Sequence, residues 1–182
     1  MPRLTPIKDK SEVAPEYHHV VDGVLEVFGS IRGPHSILLH DPAMDDLALK
    51  LGNYFRYDSV VKSPERELAV ICAAREKDCL YVWSAQVTAG RRAGLSEDAI
   101  EVIRNRGDTS KLPAETATII HYVRQLFQKN RVDQATYDTL VQQRGQQYQI
   151  ELTTLVGYYG MLAGLVNSVE LPTPPDGDVL AV

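Results

Sequence analysis

The chain has 182 residues, of which 44% are hydrophobic and 24% are charged, and this balance is typical of a single globular domain rather than a disordered chain. A formal net charge of −5 provides no cationic excess for holding phosphates, so we expect no nucleic-acid partner. No segment approaches the roughly 20 apolar residues of a membrane span, and residues 1–13 contain no apolar signal core, so we predict a cytoplasmic protein with no membrane partner.

Helical spacing of apolar residues extends over nearly the whole chain, and no segment shows the alternation of a strand. We therefore predict an all-α fold of about eight or nine helices. A short apolar piece at 35–40 follows the first helix. In chain order, the approximate bounds of the longer predicted helices are 15–30, 42–56, 63–77, 79–93, 96–107, 113–130, 134–143 and 148–168.

Several helix boundaries are marked by residues that favour them. Ser63, Ser96 and Asp133 are each placed to cap a helix, because a short side-chain oxygen can accept an unpaired amide of the first turn. Pro42 suits the first turn of a helix, where its missing N–H costs nothing. Gly94 suits the residue just beyond a helix end.

The end of the chain differs in composition from the rest. Residues 171–182 contain three prolines and a glycine, which a regular helix does not accommodate. We predict one helical domain over 1–170 and a proline-rich tail over 171–182, either a flexible end or an arm lying on a neighbouring subunit.

Two cysteines do not make a disulfide framework. If Cys72 and Cys79 shared one helix, their Cα atoms would be about 10 Å apart, whereas a disulfide requires less than about 7 Å. We expect reduced thiols. The five histidines form no metal-binding motif with one another or with the cysteines, so we predict neither a metal nor another cofactor.

The segment 63–93 holds the residues that could carry chemistry. Glu67 lies on an apolar helix stripe, where a carboxylate is either paired with an arginine or functional. Cys79 and Gln86 share one face of the next helix. The position of Cys79 at a helix start favours a thiolate, whereas a small buried hydrophobe is the structural alternative. Tyr81 and Trp83 on the same helix more often serve packing than chemistry.

The segment 63–103 resembles the carboxymuconolactone decarboxylase family, whose superfamily also contains the alkylhydroperoxidase D-like proteins. The matching elements run from 66–68 through Tyr81-x-Trp83 and Ala89 to 92–96. Weaker matches at 37–42 and 155–175 extend the resemblance over most of the chain. It implies the helical bundle of the alkylhydroperoxidase D-like proteins and a homo-oligomer, a trimer or a hexamer.

The sequence departs from both reaction types of that superfamily. Peroxidase members carry Cys-x-x-Cys-x-x-x-His on this helix, and here Val82 replaces the second cysteine and Gln86 the histidine. A resolving thiol is therefore missing from the motif. The decarboxylase branch usually reads Tyr-Glu-Trp-x-x-His, so Val82 also replaces an acid. Of the acid–base groups, only Glu67 matches the family motif, and His40 and His121 are candidate substitutes. His121 is more simply explained as a buried structural histidine.

Three functions follow from the resemblance. The first is an enzyme of the decarboxylase-like branch that acts on a small oxygenated organic acid or lactone. In it Glu67 and Gln86 would be catalytic, and substrate-binding residues would be Tyr81, Val82, Trp83 and His40. The second is a thiol-dependent hydroperoxidase that uses Cys79. The third is a non-catalytic ligand-binding oligomer that kept the fold after losing its active residues.

Overall fold

A computed structural model of the chain describes residues 2–174 and 177–181. These residues form nine α-helices and no strand, as predicted. The helices are α1 His18–Phe28, α2 Pro34–Leu38, α3 Pro42–Asn53, α4 Glu65–Glu76, α5 Leu80–Arg92, α6 Glu97–Arg104, α7 Ala114–Lys129, α8 Gln134–Arg144 and α9 Gln146–Ser168. Two 3₁₀ turns precede α1, at Lys10–Glu12 and Pro15–Tyr17, and a π-helical turn, Tyr54–Asp58, continues α3.

Helix α4 lies at the centre of the bundle. It packs against α5, α6, α7 and α9, and its residues from Glu67 to Arg75 are all buried. A helix that is apolar around most of its circumference has no solvent-facing side, so it needs neighbours on every side. Arg75, the charged residue at the C-terminal end of this buried run, is satisfied by hydrogen bonds. Arg75 donates to the Arg104 carbonyl (2.7 Å) and contacts Asp78.

Two of the three predicted helix-capping residues are confirmed. Ser96 Oγ accepts from the Ala99 amide (3.2 Å), and Asp133 Oδ1 accepts from the Thr136 amide (2.8 Å). Ser63 does not cap α4, contrary to prediction. Pro64 holds the capping position instead, and proline has no side-chain oxygen that could accept an amide.

The described part of the C-terminal tail lies on this chain's own α5 and α6. Asp178 accepts hydrogen bonds from Trp83 Nε1 (3.0 Å) and Arg91 Nη1 (2.7 Å), and it pairs with Arg104 (2.7 Å). The Arg104 guanidinium also lies over the Trp83 ring, 5.1 Å from its centroid. Leu180 is buried in the main core. Residues 175, 176 and 182 of the predicted tail lie outside the described residues.

The ionised form of Asp178 stabilises the docked tail. Burial acts to raise its pKa, but the hydrogen bonds from Arg104, Trp83 and Arg91 outweigh burial and lower the pKa to about 2. Because the folded-state pKa lies below the ordinary value near 4, this stabilisation is complete above that value. It is lost as the pH falls towards 2.

We predict that Asp178→Asn undocks the tail, because the amide removes the charge that three donors share. The free energy of unfolding should fall by about 1–3 kcal/mol. Trp83 is the only tryptophan and is fully buried, so its fluorescence emission should shift to the red. The control Asp138→Asn changes an exposed carboxylate of α8 and should alter neither property. An unshifted emission in Asp178→Asn would contradict this account of the tail.

Candidate functional site

A cavity of about 610 Å³ opens beside the central helix. Its wall is built from the end of α1 and the loop to α2, from α3 and its π-helical turn, and from α4, α5 and α9. Pro174 and Gly177 of the tail complete it. This volume matches the range of small-molecule sites, about 300–1,000 Å³.

Glu67 reaches the cavity from the first turn of α4. Its Oε1 accepts from Arg66 Nη2 (2.6 Å) and Nε (3.2 Å), so the pairing with Arg66 that the sequence allows is present. Its Oε2 is buried and has no hydrogen-bond partner among the described residues. A buried carboxylate oxygen without a partner is costly, so Glu67 has an unmet hydrogen-bonding requirement at the cavity wall.

Helix α5 contributes Tyr81, Val82 and Gln86 to the same wall. The loop before α2 approaches Tyr81 closely at Gly33, whose φ is +60°. A Cβ at Gly33 would lie 2.9 Å from Tyr81 Cε1, so both the backbone and the available space require glycine. Tyr81 is thereby held against the cavity, and burial raises its pKa, so at neutral pH it keeps its proton as a hydrogen-bond donor.

Three predicted site residues do not line the cavity. Cys79 is fully buried in the main core at the start of α5. Trp83 points its Nε1 at Asp178 on another side of α5. His40 is exposed and contacts the Thr5 carbonyl (2.9 Å). His121 was predicted to be buried, and this was wrong, because it lies on the exposed side of α7 and contacts Thr109 Oγ1 (2.7 Å).

The environment of Cys79 opposes thiolate formation. Burial raises its pKa, and the amides of Val82 and Tyr81 offset this only in part. Cys72 is also free and buried, and burial raises its pKa to about 12. The thiols are reduced, as expected, and the buried-hydrophobe alternative for Cys79 agrees with its place in the core.

The sequence analysis missed His35, which lines the cavity from α2. Its Nδ1 lies 2.6 Å from Oδ1 of Asp45, and both residues are buried. Their separation along the chain crosses a helix boundary, so neither helical periodicity nor a known motif links them. The pair is visible only once α2 and α3 are packed.

Four arginines also line the cavity: Arg32, Arg56, Arg66 and Arg92. Arg66 is committed to Glu67, but the other three form no ion pair with any described carboxylate. Arg56 belongs to the π-helical turn, and its Nε is buried without a hydrogen-bond partner in the described part of the chain. The cavity therefore carries more positive than negative charge.

Metal ligands do not converge here. Within residues 2–174 and 177–181, no three histidine, cysteine, aspartate or glutamate side chains come together as a metal ion would need. In the same ranges, no helix is both long and apolar enough to cross a bilayer.

No protein-family profile matches the chain, and no curated protein matches its sequence. Solved structures do match. A peroxidase-related protein from Ralstonia eutropha, described as an alkylhydroperoxidase AhpD core, has a TM-score of 0.75 at 14% identity, over 95% of both chains. The chain has the alkylhydroperoxidase D-like fold.

Two other structures agree with this assignment. A peroxidase-related protein from Silicibacter has a TM-score of 0.73 at 14% identity, covering 96% of this chain and 95% of its own. A protein of unknown function from Agrobacterium tumefaciens, named for AhpD and antioxidant defence, has a TM-score of 0.68 at 16% identity. It covers 75% of this chain and 94% of its own. At these identities the likeness concerns the fold.

We predict that neither thiol reacts with Ellman's reagent in the native protein, because Cys72 and Cys79 are both fully buried and their pKa values are raised. Both should react after unfolding in guanidinium chloride. A rapid native reaction that Cys79→Ala removes would show an accessible thiol at Cys79. It would contradict the burial seen here.

Proposed function

We propose that this protein is an enzyme that binds a small oxygenated organic acid or lactone in the cavity and catalyses decarboxylation or a related proton transfer. The observation that carries the proposal is that two residues lining the same cavity each have a buried polar atom without a hydrogen-bond partner. The buried Oε2 of Glu67 and the buried Nε of Arg56 both lack a protein partner in the described residues, and both residues line the cavity. A bound anion that also carries a hydroxyl group would satisfy such a pair, because its anionic oxygen accepts from Arg56 and its hydroxyl donates to Glu67.

Arg56 supports an anionic substrate. A guanidinium presents a planar fork of donors that fits a carboxylate in bidentate geometry. Arg32 and Arg92 are exposed residues of the cavity lining, and they add positive charge that would attract an anion. The net charge of the whole chain is negative, so the positive charge is a local property of the cavity.

The residues of the wall suggest the division of roles. Glu67 would be an acid or base through Oε2, and Gln86 would orient a carbonyl oxygen as a neutral donor. Tyr81 and Val82 would form the side of the pocket. The roles that the sequence suggested for Trp83 and His40 gain no support from their positions outside the lining.

The two alternative functions have less support. A hydroperoxidase that uses Cys79 requires an accessible thiolate, and Cys79 is fully buried with a raised pKa. A non-catalytic binding protein would keep the cavity but would not need an unpartnered carboxylate oxygen beside it. We therefore place the proton-transfer enzyme first, and turnover is the property that separates it from a binding protein.

We predict that small keto acids stabilise the protein against heat and that Arg56→Gln weakens this effect. With 4-oxopentanoate as the probe, loss of one charged hydrogen-bonding group should raise Kd by about 10- to 100-fold. Differential scanning fluorimetry over a concentration series measures it. The control Arg131→Gln removes an exposed arginine outside the cavity and should leave Kd unchanged. Equal binding by both variants would argue against Arg56 as the anchor.

Turnover separates an enzyme from a binding protein in the same samples. Release of CO₂ from muconolactone-type and β-keto acids should fall by about 10²- to 10⁴-fold in Glu67→Gln if Glu67 transfers a proton. Binding of the acids without CO₂ release or proton exchange from any of them would favour the non-catalytic alternative.

We also propose that the protein is a homo-oligomer, a trimer or a hexamer. Five large apolar side chains of α3 and the π-helical turn are exposed together: Met44, Leu47, Leu51, Tyr54 and Tyr57. Exposed apolar residues concentrated in one stretch of structure are typical of contact surfaces. Light scattering should give a mass of three or six chains, and a mass of one chain would contradict the proposal.

A further inference from the structure

His35 and Asp45 form a buried pair that opens on the cavity. The side chain of His35 is 7% exposed and that of Asp45 is not exposed at all. The distance of 2.6 Å between Nδ1 and Oδ1 is that of a charge-assisted hydrogen bond. Asp45 Oδ2 has no hydrogen-bond partner among the described residues. Asp45 therefore directs its one hydrogen bond at the imidazole.

This contact decides which nitrogen of His35 is available. A carboxylate only accepts hydrogen bonds, so Nδ1 must carry the proton and donate it. In the neutral ring the lone pair then lies on Nε2. No described residue forms a hydrogen bond with Nε2, and His35 lines the cavity. The nitrogen that can exchange a proton is thus the one left for a ligand.

The neighbours of His35 join it to the anion site. The Phe28 ring packs against the imidazole with centroids 4.8 Å apart. The Arg56 guanidinium lies over the same Phe28 ring, 4.8 Å from its centroid. An acid bound by Arg56 is therefore held close to the neighbours of His35. Burial raises the pKa of Tyr158, another lining residue. The nearby charge of Asp45 raises the pKa of Tyr158 further.

We propose that His35 is the residue that transfers the proton to and from substrate carbon, that Asp45 positions it, and that the substrate is a small keto or lactone acid whose carboxylate binds near Arg56. The inference rests on the function proposed above and deepens it. The position where the decarboxylase-like motif has histidine holds Gln86, which cannot transfer a proton at neutral pH. His35 supplies an imidazole to the same cavity from α2.

The proton transfer balances without another reactant. In a decarboxylation, the C–COO⁻ bond breaks, CO₂ leaves, and the electron pair passes into the adjacent carbonyl group as an enolate. Protonated His35 gives its Nε2 proton to the enolate carbon, becomes neutral, and takes a proton from water. By the reverse of the protonation of the enolate carbon, neutral Nε2 removes a proton from a carbon next to a carbonyl group, and the C–H electrons form the enolate. Asp45 stabilises the imidazolium in both directions.

The reverse step provides the test. The wild-type protein in D₂O should catalyse exchange of the C3 protons of 4-oxopentanoate, followed by ¹H NMR. His35→Asn keeps a side-chain amide that can donate to Asp45 but lacks Nε2, so exchange should fall by about 10²-fold or more while thermal stability and Kd change little. The control His19→Asn alters an exposed histidine outside the cavity and should exchange at the wild-type rate.

Two further variants test the acid–base role of His35 and the positioning role of Asp45. Imidazole added to His35→Ala should restore exchange, which a purely structural histidine would not show. Asp45→Asn should slow exchange by at least about 10-fold. It should also slow the modification of His35 by diethyl pyrocarbonate, mapped by mass spectrometry, because an amide at this position can donate to Nδ1 and place the proton on Nε2.

The outcomes separate this inference from the function on which it rests. Exchange at the wild-type rate in His35→Asn would overturn the role of His35 and leave the acid-binding enzyme intact. Binding of the acid without exchange in the wild-type protein would also overturn it. If no acid in the panel binds, the proposed function fails. Absence of diethyl pyrocarbonate modification at His35 in the native protein would overturn the inference by itself, because an unmodified His35 has no accessible Nε2.

Discussion

The complete burial of α4 is the constraint on which the rest of the molecule depends. Nine consecutive residues of this helix, Glu67–Arg75, are shielded from solvent, and four other helices supply the cover. Such a helix cannot leave a charge unpaired. At one end Arg75 is satisfied by a carbonyl and by Asp78. At the other end, only one of the two Glu67 carboxylate oxygens accepts hydrogen bonds. The second oxygen has no partner in the described residues. The cavity lies at this incompletely satisfied end.

The cavity is assembled from helices α1–α5 and α9 and the segment that joins α1 to α2, so its polar groups come from distant parts of the sequence. Helix α5 contributes Gln86 to the cavity, whereas Cys79 at its start is turned into the core. The imidazole of the cavity instead comes from α2, where His35 is oriented by Asp45 of α3. The pair joins two helices that are consecutive in the chain but that no sequence motif links.

The tail also belongs to the architecture of the site. Trp83 donates its indole N–H to Asp178, and the same aspartate pairs with Arg91 and Arg104. Gly177, the neighbour of Asp178, reaches the cavity wall. Trp83 is thus linked to the cavity wall through the tail.

The sequence alone determined the class of fold, most helix boundaries and part of the cavity wall. Those features depend on apolar spacing and on contacts within about four residues, as at Ser96 and Asp133, so they can be read locally. Four residues that the motif on α4 and α5 singled out line the cavity: Glu67, Tyr81, Val82 and Gln86. Three features became visible only in the folded structure: the direction of Cys79 and Trp83, the pairing of His35 with Asp45, and the lack of a hydrogen-bond partner for Arg56 Nε. Each of these depends on which distant segment packs against the residue. Asp178 is 95 positions from Trp83, and no local pattern of side chains records such a contact.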